Sequence, residues 1–178
     1  MENILIATNS QKILAFLAQN PGREYLAKEI QEATKISKAG TNLALRDLVK
    51  AKFVKRQERG RVYLYSVDFS SPVIRQLKVL RSVISLSSLI NEIKSQAKKV
   101  ILYGSTSRGE DTKDSDIDLF VVTNMPEEVE GAIKKGKKIQ LTMRTPLKYV
   151  EMERTDPTFY NEIERGVVLW EAKDESRI

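Results

Sequence analysis

Residues 99–123, KVILYGSTSRGEDTKDSDIDLFVVT, constrain the fold more than any other part of the sequence. This segment contains two apolar runs, 100–103 and 119–122, and each has the length of a short strand. Short apolar runs bounded by turn residues are typical of buried β-strands. A Gly-Ser pair follows the first run directly, and Asp-Ile-Asp leads into the second. The segment therefore predicts two strands with polar groups at the junction between them.

The same segment resembles the nucleotidyltransferase signature of the DNA polymerase β superfamily, in which Gly-Ser is followed by Asp-x-Asp on the next strand. Its Ser-x-x-Arg-Gly and Ser-Asp-Ile-Asp-Leu sequences, at 105–109 and 115–119, are especially similar to those of the minimal nucleotidyltransferase branch. The resemblance covers about residues 95–171. It implies a small α/β domain with a mixed sheet, an NTP substrate and a Mg²⁺ or Mn²⁺ cofactor. Proteins of this branch often act with a HEPN-type protein as antitoxin and toxin, so a HEPN-type partner is implied as well.

The polar residues after the first strand suit a phosphate ligand. Gly104 ends the strand where the backbone must approach a triphosphate closely, and a side chain there would obstruct the approach. Ser105 stands at the start of a short predicted helix, whose free N–H groups attract phosphate. Arg108 lies one turn later and can reach the same phosphates with its forked guanidinium. These three residues are the predicted nucleotide-binding group.

Asp116 and Asp118 are the predicted catalytic and metal-binding residues. Because they are two positions apart on a strand, both carboxylates project from one face, while Ile117 and Leu119 point to the other. Aspartate is a poor strand former, and two neighbouring carboxylates repel each other unless a cation lies between them. The pair therefore predicts a divalent metal site that would neutralise the leaving pyrophosphate.

One position departs from the family pattern. Members of the family place a third carboxylate on a later strand, where it takes the proton from the attacking hydroxyl. Here Gln140 occupies that position, a few residues before Thr145-Pro146. An amide oxygen can coordinate a metal, but a neutral amide cannot act as a base near pH 7. Glu151 and Glu153 follow on a predicted helix, and nothing in the sequence favours either as a replacement.

The N-terminal third contains the pattern of three helices followed by a hairpin. Apolar spacing predicts helices at about 10–19 and 27–33, and a third that Ser37 caps and that ends near Ala51. Two extended runs then flank a turn that contains Gly60, which predicts a β-hairpin. This order resembles a winged helix-turn-helix over roughly residues 8–68.

Positive charge is concentrated in this part of the chain. The segment from Lys35 to Arg61 has nine basic and two acidic residues, a net charge of +7, whereas the whole chain has +6. Such a local excess is typical of a surface that binds nucleic acid. The winged-helix resemblance implies that double-stranded DNA is contacted by Lys38, Thr41, Asn42, Arg46, Arg59 and Arg61. The alternative is a winged helix that contacts only protein and whose charges are solvated.

A long helix is predicted between these two regions. Ser71 is its expected cap, Pro72 its first residue, and the pattern continues to about Lys98. Its apolar residues form two stripes that are slightly rotated from each other, which suggests a bend or two helices. The first half could join two copies of the chain into a homodimer, or the helix could pack the chain's own domains together.

The sequence therefore predicts an α/β (α+β) protein of two domains. The winged helix-turn-helix would occupy residues 1–70, the linking helix 71–98 and the nucleotidyltransferase domain 99–178. Two functions remain open. The protein could transfer an NMP from an NTP to a hydroxyl of a protein or small molecule, or it could be a DNA-binding transcriptional regulator whose transferase domain only binds nucleotide.

Composition limits the chemistry and the location. The chain has no cysteine and no histidine, so thiolate metal sites and Ser-His triads are excluded and a metal must bind to oxygen ligands. No apolar run approaches the ~20 residues of a membrane span. The first residues also lack the layout of a signal peptide. We therefore expect a cytoplasmic protein without a membrane partner.

Overall fold

The computed structural model describes residues 7–20, 22–133 and 138–173. The chain forms two compact units, Met1–Arg81 and Ser82–Ile178. The division falls within the long helix between them, so each unit contains part of that helix. The predicted mixed α/β class is confirmed, because the described residues form eight helices and two β-sheets.

Three helices begin the first unit: α1 at Asn9–Ala18, α2 at Ala27–Thr34 and α3 at Lys38–Lys50. Their ends follow from local side chains. Thr8 and Gln11 form a capping box at the start of α1. The Gly40 amide donates to Ser37 Oγ at 3.2 Å, so Ser37 caps α3 as the sequence predicts.

A three-stranded antiparallel sheet completes the first unit. Its strands are β1 at Tyr25–Leu26, β2 at Lys55–Arg59 and β3 at Val62–Ser66, in the order β1-β3-β2. β2 and β3 form the predicted hairpin, and Gly60 turns the chain between them with a φ of +63°. The buried side chains beneath these elements come from all three helices, from both sides of the hairpin and from Ile74, which follows the hairpin in the chain; the largest are Ile13, Leu17, Ile30, Leu45 and Ile74.

The long helix α4 spans Pro72–Ile93 as one element. The expectation that it continues to Lys98 is wrong, because Ala97 already begins a strand and pairs with Thr123. Ala97 is buried in the same apolar cluster as Ile93. The chain therefore changes from helix to strand within a few residues, and the change lets both elements contribute to one core.

A four-stranded mixed sheet forms the centre of the second unit. The strand order is β6-β5-β4-β7, and only β5 and β6 run parallel to each other. The strands are β4 at Ala97–Tyr103, β5 at Ile117–Thr123, β6 at Ile139–Arg144 and β7 at Val167–Glu171. The helices are α5 at Gly104–Ser107, α6 at Pro126–Ala132, α7 at Pro146–Thr155 and α8 at Pro157–Glu164.

Apolar residues on both faces of this sheet are buried. On one face, Leu119 and Val121 pack with residues of α4 and with Val129 of α6. On the other face, Phe120 and Val122 pack with residues of α7 and α8. Since successive strand residues point to opposite faces, Asp118 lies on the face that α7 and α8 cover.

Candidate active site

Three strands bring polar residues side by side at one end of the mixed sheet. Tyr103 on β4 pairs with Asp118 on β5, and Asp118 pairs with Gln140 on β6. Paired residues of neighbouring strands share a face of the sheet. Gln140 is therefore the immediate neighbour of Asp118 on β6, at the position for which the sequence comparison expected a carboxylate.

Gly104 packs directly against the Asp118 side chain. It follows Tyr103 at the end of β4, has a φ of +67° and begins the short helix α5. A Cβ atom at this position would lie 2.2 Å from Asp118 Oδ2. From the sequence, the absence of a side chain at Gly104 was expected to leave room for a triphosphate. In the structure, the carboxylate of Asp118 already occupies that space. The Gly-Ser turn and the carboxylate of Asp118 therefore form one packed unit.

Hydrogen bonds hold the connection between α5 and β5 in place. The buried Thr106 hydroxyl donates to the carbonyl oxygen of Asp116 at 3.3 Å. Arg108 donates through Nε to Glu110 Oε2 at 2.9 Å, and its side chain is about half exposed. Glu110 in turn donates its amide to the Ser105 carbonyl at 2.9 Å. Ser105, Arg108 and Asp116, all predicted from the sequence, are thus brought to the same end of the sheet as Asp118.

Negative charge accumulates around Asp118. Burial raises the pKa of its carboxyl group, and the nearby charges of Asp116 and then Glu162 raise it further, while Arg108 lowers it. The two aspartates therefore repel each other, as their spacing predicts. A bound cation would remove this repulsion.

The residues present fit a divalent cation that is shared with a substrate. Among the residues that the structure describes, no cluster of three or more acidic residues could enclose a metal ion by itself. Mg²⁺ commonly binds through one or two carboxylates, and substrate phosphates and water complete its octahedral shell. Asp116 and Asp118 are neighbouring carboxylates of the kind that such a site uses.

A cleft of about 580 Å³ adjoins this group. α5 and the residue after it contribute Ser107 and Arg108, and the opposite side comes from α8 and its end, with Thr158, Asn161, Glu162 and Arg165. Sequence reasoning missed Glu162, because it is far along the chain and lies outside any motif. The available signal was its position between Phe159 and Ile163, the apolar residues that dock α8 on the sheet.

The predicted DNA contacts divide into exposed and buried residues. Lys38, Asn42 and Arg46 are exposed and follow each other at four-residue intervals on α3, so they share one side of the helix. Thr41 is only 1% exposed, and its prediction as a DNA contact is therefore wrong. The error arose because the helical positions were considered without knowing which side packs against α1 and α2.

The hairpin arginines differ from each other. Arg59 forms an ion pair with Glu24, with 2.9 Å between Nη2 and Oε2. Arg61 lies in the turn beside Gly60 and is exposed. Arg61 is therefore the more available cation for a phosphate, whereas Arg59 would have to leave or share its partner.

Comparison with known proteins identifies the second half of the chain. The family model that describes the nucleotidyltransferase domain matches residues 86–174, half of the sequence. No curated protein matches the chain significantly.

In the part of the chain that the structure describes, no helix is both long and apolar enough to span a membrane.

Two solved structures are similar in part. One, from Sulfolobus solfataricus, is provisionally assigned as a nucleotidyltransferase; it has 18% identity and a TM-score of 0.38 over 55% of this chain and 86% of its own. The other is human N-acetylserotonin methyltransferase in complex with SAM, with 21% identity and a TM-score of 0.32 over 51% of this chain and 30% of its own. Neither likeness is close enough to bear on function.

Proposed function

Because the chain belongs to the nucleotidyltransferase domain family, we propose that it transfers a nucleoside monophosphate from an NTP to a hydroxyl group and releases pyrophosphate. The observation that carries this proposal is the contact between Gly104 and Asp118. A Cβ on Gly104 would lie 2.2 Å from the Asp118 carboxylate, so the Gly-Ser turn and the strand that carries Asp118 are packed as one unit. Such an arrangement brings a nucleotide phosphate and a cation to the same place.

Each residue has a distinct role in this proposal. The turn at Gly104 and Ser105 receives the triphosphate with its backbone amides. Arg108 retains its Nη atoms for a phosphate oxygen while Nε is bound to Glu110. Asp116 and Asp118 hold Mg²⁺ or Mn²⁺, which when bound supplies positive charge against the developing charge of the pyrophosphate.

The acceptor would be a hydroxyl of a protein or of a small molecule. The cleft beside Arg108 is open and is lined by polar and charged side chains, which suits either kind of acceptor. A HEPN-type protein is the partner that the family resemblance implies. Co-purification with such a protein, followed by incubation with α-labelled NTP, would identify the labelled acceptor.

Titration calorimetry with each common NTP tests the nucleotide site. Binding should require Mg²⁺ or Mn²⁺, disappear with EDTA, and disappear in the Asp116→Ala/Asp118→Ala variant. Asp114→Ala is the matched control, because Asp114 is an exposed aspartate of the same loop outside the proposed site. Equal NTP affinity in the double variant and the wild type would show that the site is assigned to the wrong residues.

A specific observation supports DNA binding as a second function. Lys38, Asn42 and Arg46 form an exposed row on α3, and the surrounding segment has a net charge of +7. In this proposal the first unit is a winged helix-turn-helix, α3 enters the major groove and the hairpin contacts the backbone. Two-fold symmetric operators would require a homodimer, for which the half-exposed Val73 and Leu80 on α4 are available. The protein would then regulate transcription, with nucleotide binding as its signal.

Gel-shift measurements and transfer assays separate the two functions. A chain that binds duplex DNA and NTP but releases no pyrophosphate is a nucleotide-responsive regulator. A chain that labels an acceptor and binds no duplex, even at low ionic strength, is a transferase whose first unit contacts protein.

A further inference from the structure

Glu162 on α8 lies in the cleft beside the proposed nucleotide-binding residues. It lines the same cleft as Ser107 and Arg108, which belong to the proposed phosphate-binding segment. Glu162 is exposed, so its carboxylate is accessible to a ligand in the cleft. The cleft thus has a phosphate-binding side on α5 and an acidic residue on the opposite side.

Packing fixes the position of this glutamate. The next residue, Ile163, is fully buried against the sheet. The Phe159 ring contacts the Tyr103 ring edge-on at 5.7 Å and the Phe120 ring at 6.1 Å. Tyr103 immediately precedes Gly104, so α8 docks on the strand that leads into the proposed site. Glu162 is therefore held by a rigid element rather than by a mobile loop.

The charge of Glu162 acts on the proposed site. Burial and the charge of Asp116 are the two largest causes of the raised pKa of the Asp118 carboxyl, and the negative charge of Glu162 is the third.

We propose that Glu162 acts as the base that position 140 lacks, and accepts the proton of the acceptor hydroxyl. This inference rests on the proposed function. Gln140 is neutral and cannot take the proton, although it stands beside Asp118. Glu162 on α8 is the acidic residue of the cleft that Arg108 also lines, and its carboxylate would supply the missing group without a change in the strand.

The proposed step conserves atoms and charge. The acceptor O–H bond breaks and its proton passes to the Glu162 carboxylate. The acceptor oxygen forms a bond to the α-phosphorus of the NTP. The bond from that phosphorus to the bridging oxygen breaks, and pyrophosphate leaves with the electron pair. Arg108, on the phosphate side of the cleft, is placed to stabilise the departing charge.

The test compares the wild type with Glu162→Gln, and uses Glu151→Gln as the matched control on the exposed side of α7. Pyrophosphate release is measured with each common NTP and Mg²⁺ or Mn²⁺, with water and added glycerol as acceptors. NTP affinity is measured by calorimetry on the same samples. Because a positioned base contributes roughly 10²–10⁴-fold, Glu162→Gln should release pyrophosphate at least about 100-fold more slowly. Its NTP affinity should stay within about threefold of the wild type, and Glu151→Gln should behave as the wild type.

Other outcomes reject the inference in distinguishable ways. If Glu162→Gln is as fast as the wild type, Glu162 is not the base. If the wild type is inactive and Gln140→Asp is active, the proposed transferase site stands but Glu162 does not serve it. If the wild type and Gln140→Asp both bind NTP and neither of them releases pyrophosphate, the proposed transfer function is wrong, and the inference about Glu162 is wrong with it.

Discussion

Replacing Gly104 by alanine tests the packing between the Gly-Ser turn and the strand that carries Asp118. The backbone at this residue has a φ of +67°, a conformation that costs an L-residue about 1–2 kcal/mol. The new Cβ would also lie 2.2 Å from Asp118 Oδ2, so the carboxylate must move. Overpacking of this kind costs about 1–3 kcal/mol, which gives a total loss of about 2–5 kcal/mol in unfolding free energy.

Urea unfolding followed by Trp170 fluorescence measures this loss. The chain has a single tryptophan, and it lies on β7 of the second unit, so the signal reports on that unit. Gly131→Ala is the matched control, because a Cβ added at this position on α6 would meet no other atom within 4 Å. Removing a helical glycine should stabilise the unit by about 0.5–1 kcal/mol.

A double-mutant cycle isolates the contact itself. In an Asp118→Ala background, Gly104→Ala should retain only the backbone cost of about 1–2 kcal/mol. NTP affinity provides an independent readout, since displacement of the carboxylate should weaken metal-dependent binding in the single variant. The reasoning is refuted if Gly104→Ala is as well tolerated as Gly131→Ala, or if its cost is the same with and without Asp118.

Three further predictions concern charge, DNA binding and a partly exposed hydrogen-bond network. The pKa of the Asp118 carboxyl is raised, so the folded state holds its proton more tightly than the unfolded chain does, and Asp118→Asn should increase the free energy of unfolding at pH 7. This increase should shrink as the pH falls through the raised pKa towards 3.8, and an increase that does not change with pH would contradict the direction of the shift. Arg61→Ala should weaken binding to all duplexes alike and reduce the number of counterions released on binding by roughly 0.9, whereas Asn42→Ala should reduce the binding free energy by about 1–3 kcal/mol only for duplexes with particular base pairs. Gel shifts across salt concentrations measure both effects, and identical behaviour of the two variants would disprove this assignment. The Tyr149 hydroxyl accepts a hydrogen bond from Lys99 and donates one to Glu164, so Tyr149→Phe should lower the free energy of unfolding in urea by about 1–3 kcal/mol. Tyr160→Phe should lower it by less, because this substitution removes no hydrogen bond between the hydroxyl and the described residues.

Local sequence patterns predicted the elements that carry the candidate site. The apolar runs of residues 99–123 correspond to β4 and β5, and Ser37 and Pro72 marked the starts of α3 and α4. Caps and strand periodicity depend on neighbouring residues, so they can be read without knowledge of the fold. The end of α4 could not be predicted in this way, because Ala97 suits a helix by itself and becomes a strand residue only through its pairing with Thr123.

The sequence by itself determined which residue types meet at the site, since Gly104, Asp116 and Asp118 belong to one short segment. Only the tertiary structure decided what surrounds them. The packing of α3 buried Thr41, which its polar side chain had made a plausible DNA contact. The docking of α8 brought Glu162 into the cleft with Arg108, although more than fifty positions separate them in the chain. Both outcomes depend on which face of a helix packs against the rest of the protein. The residues of other elements determine that face, and the spacing of apolar residues within the helix carries no information about them.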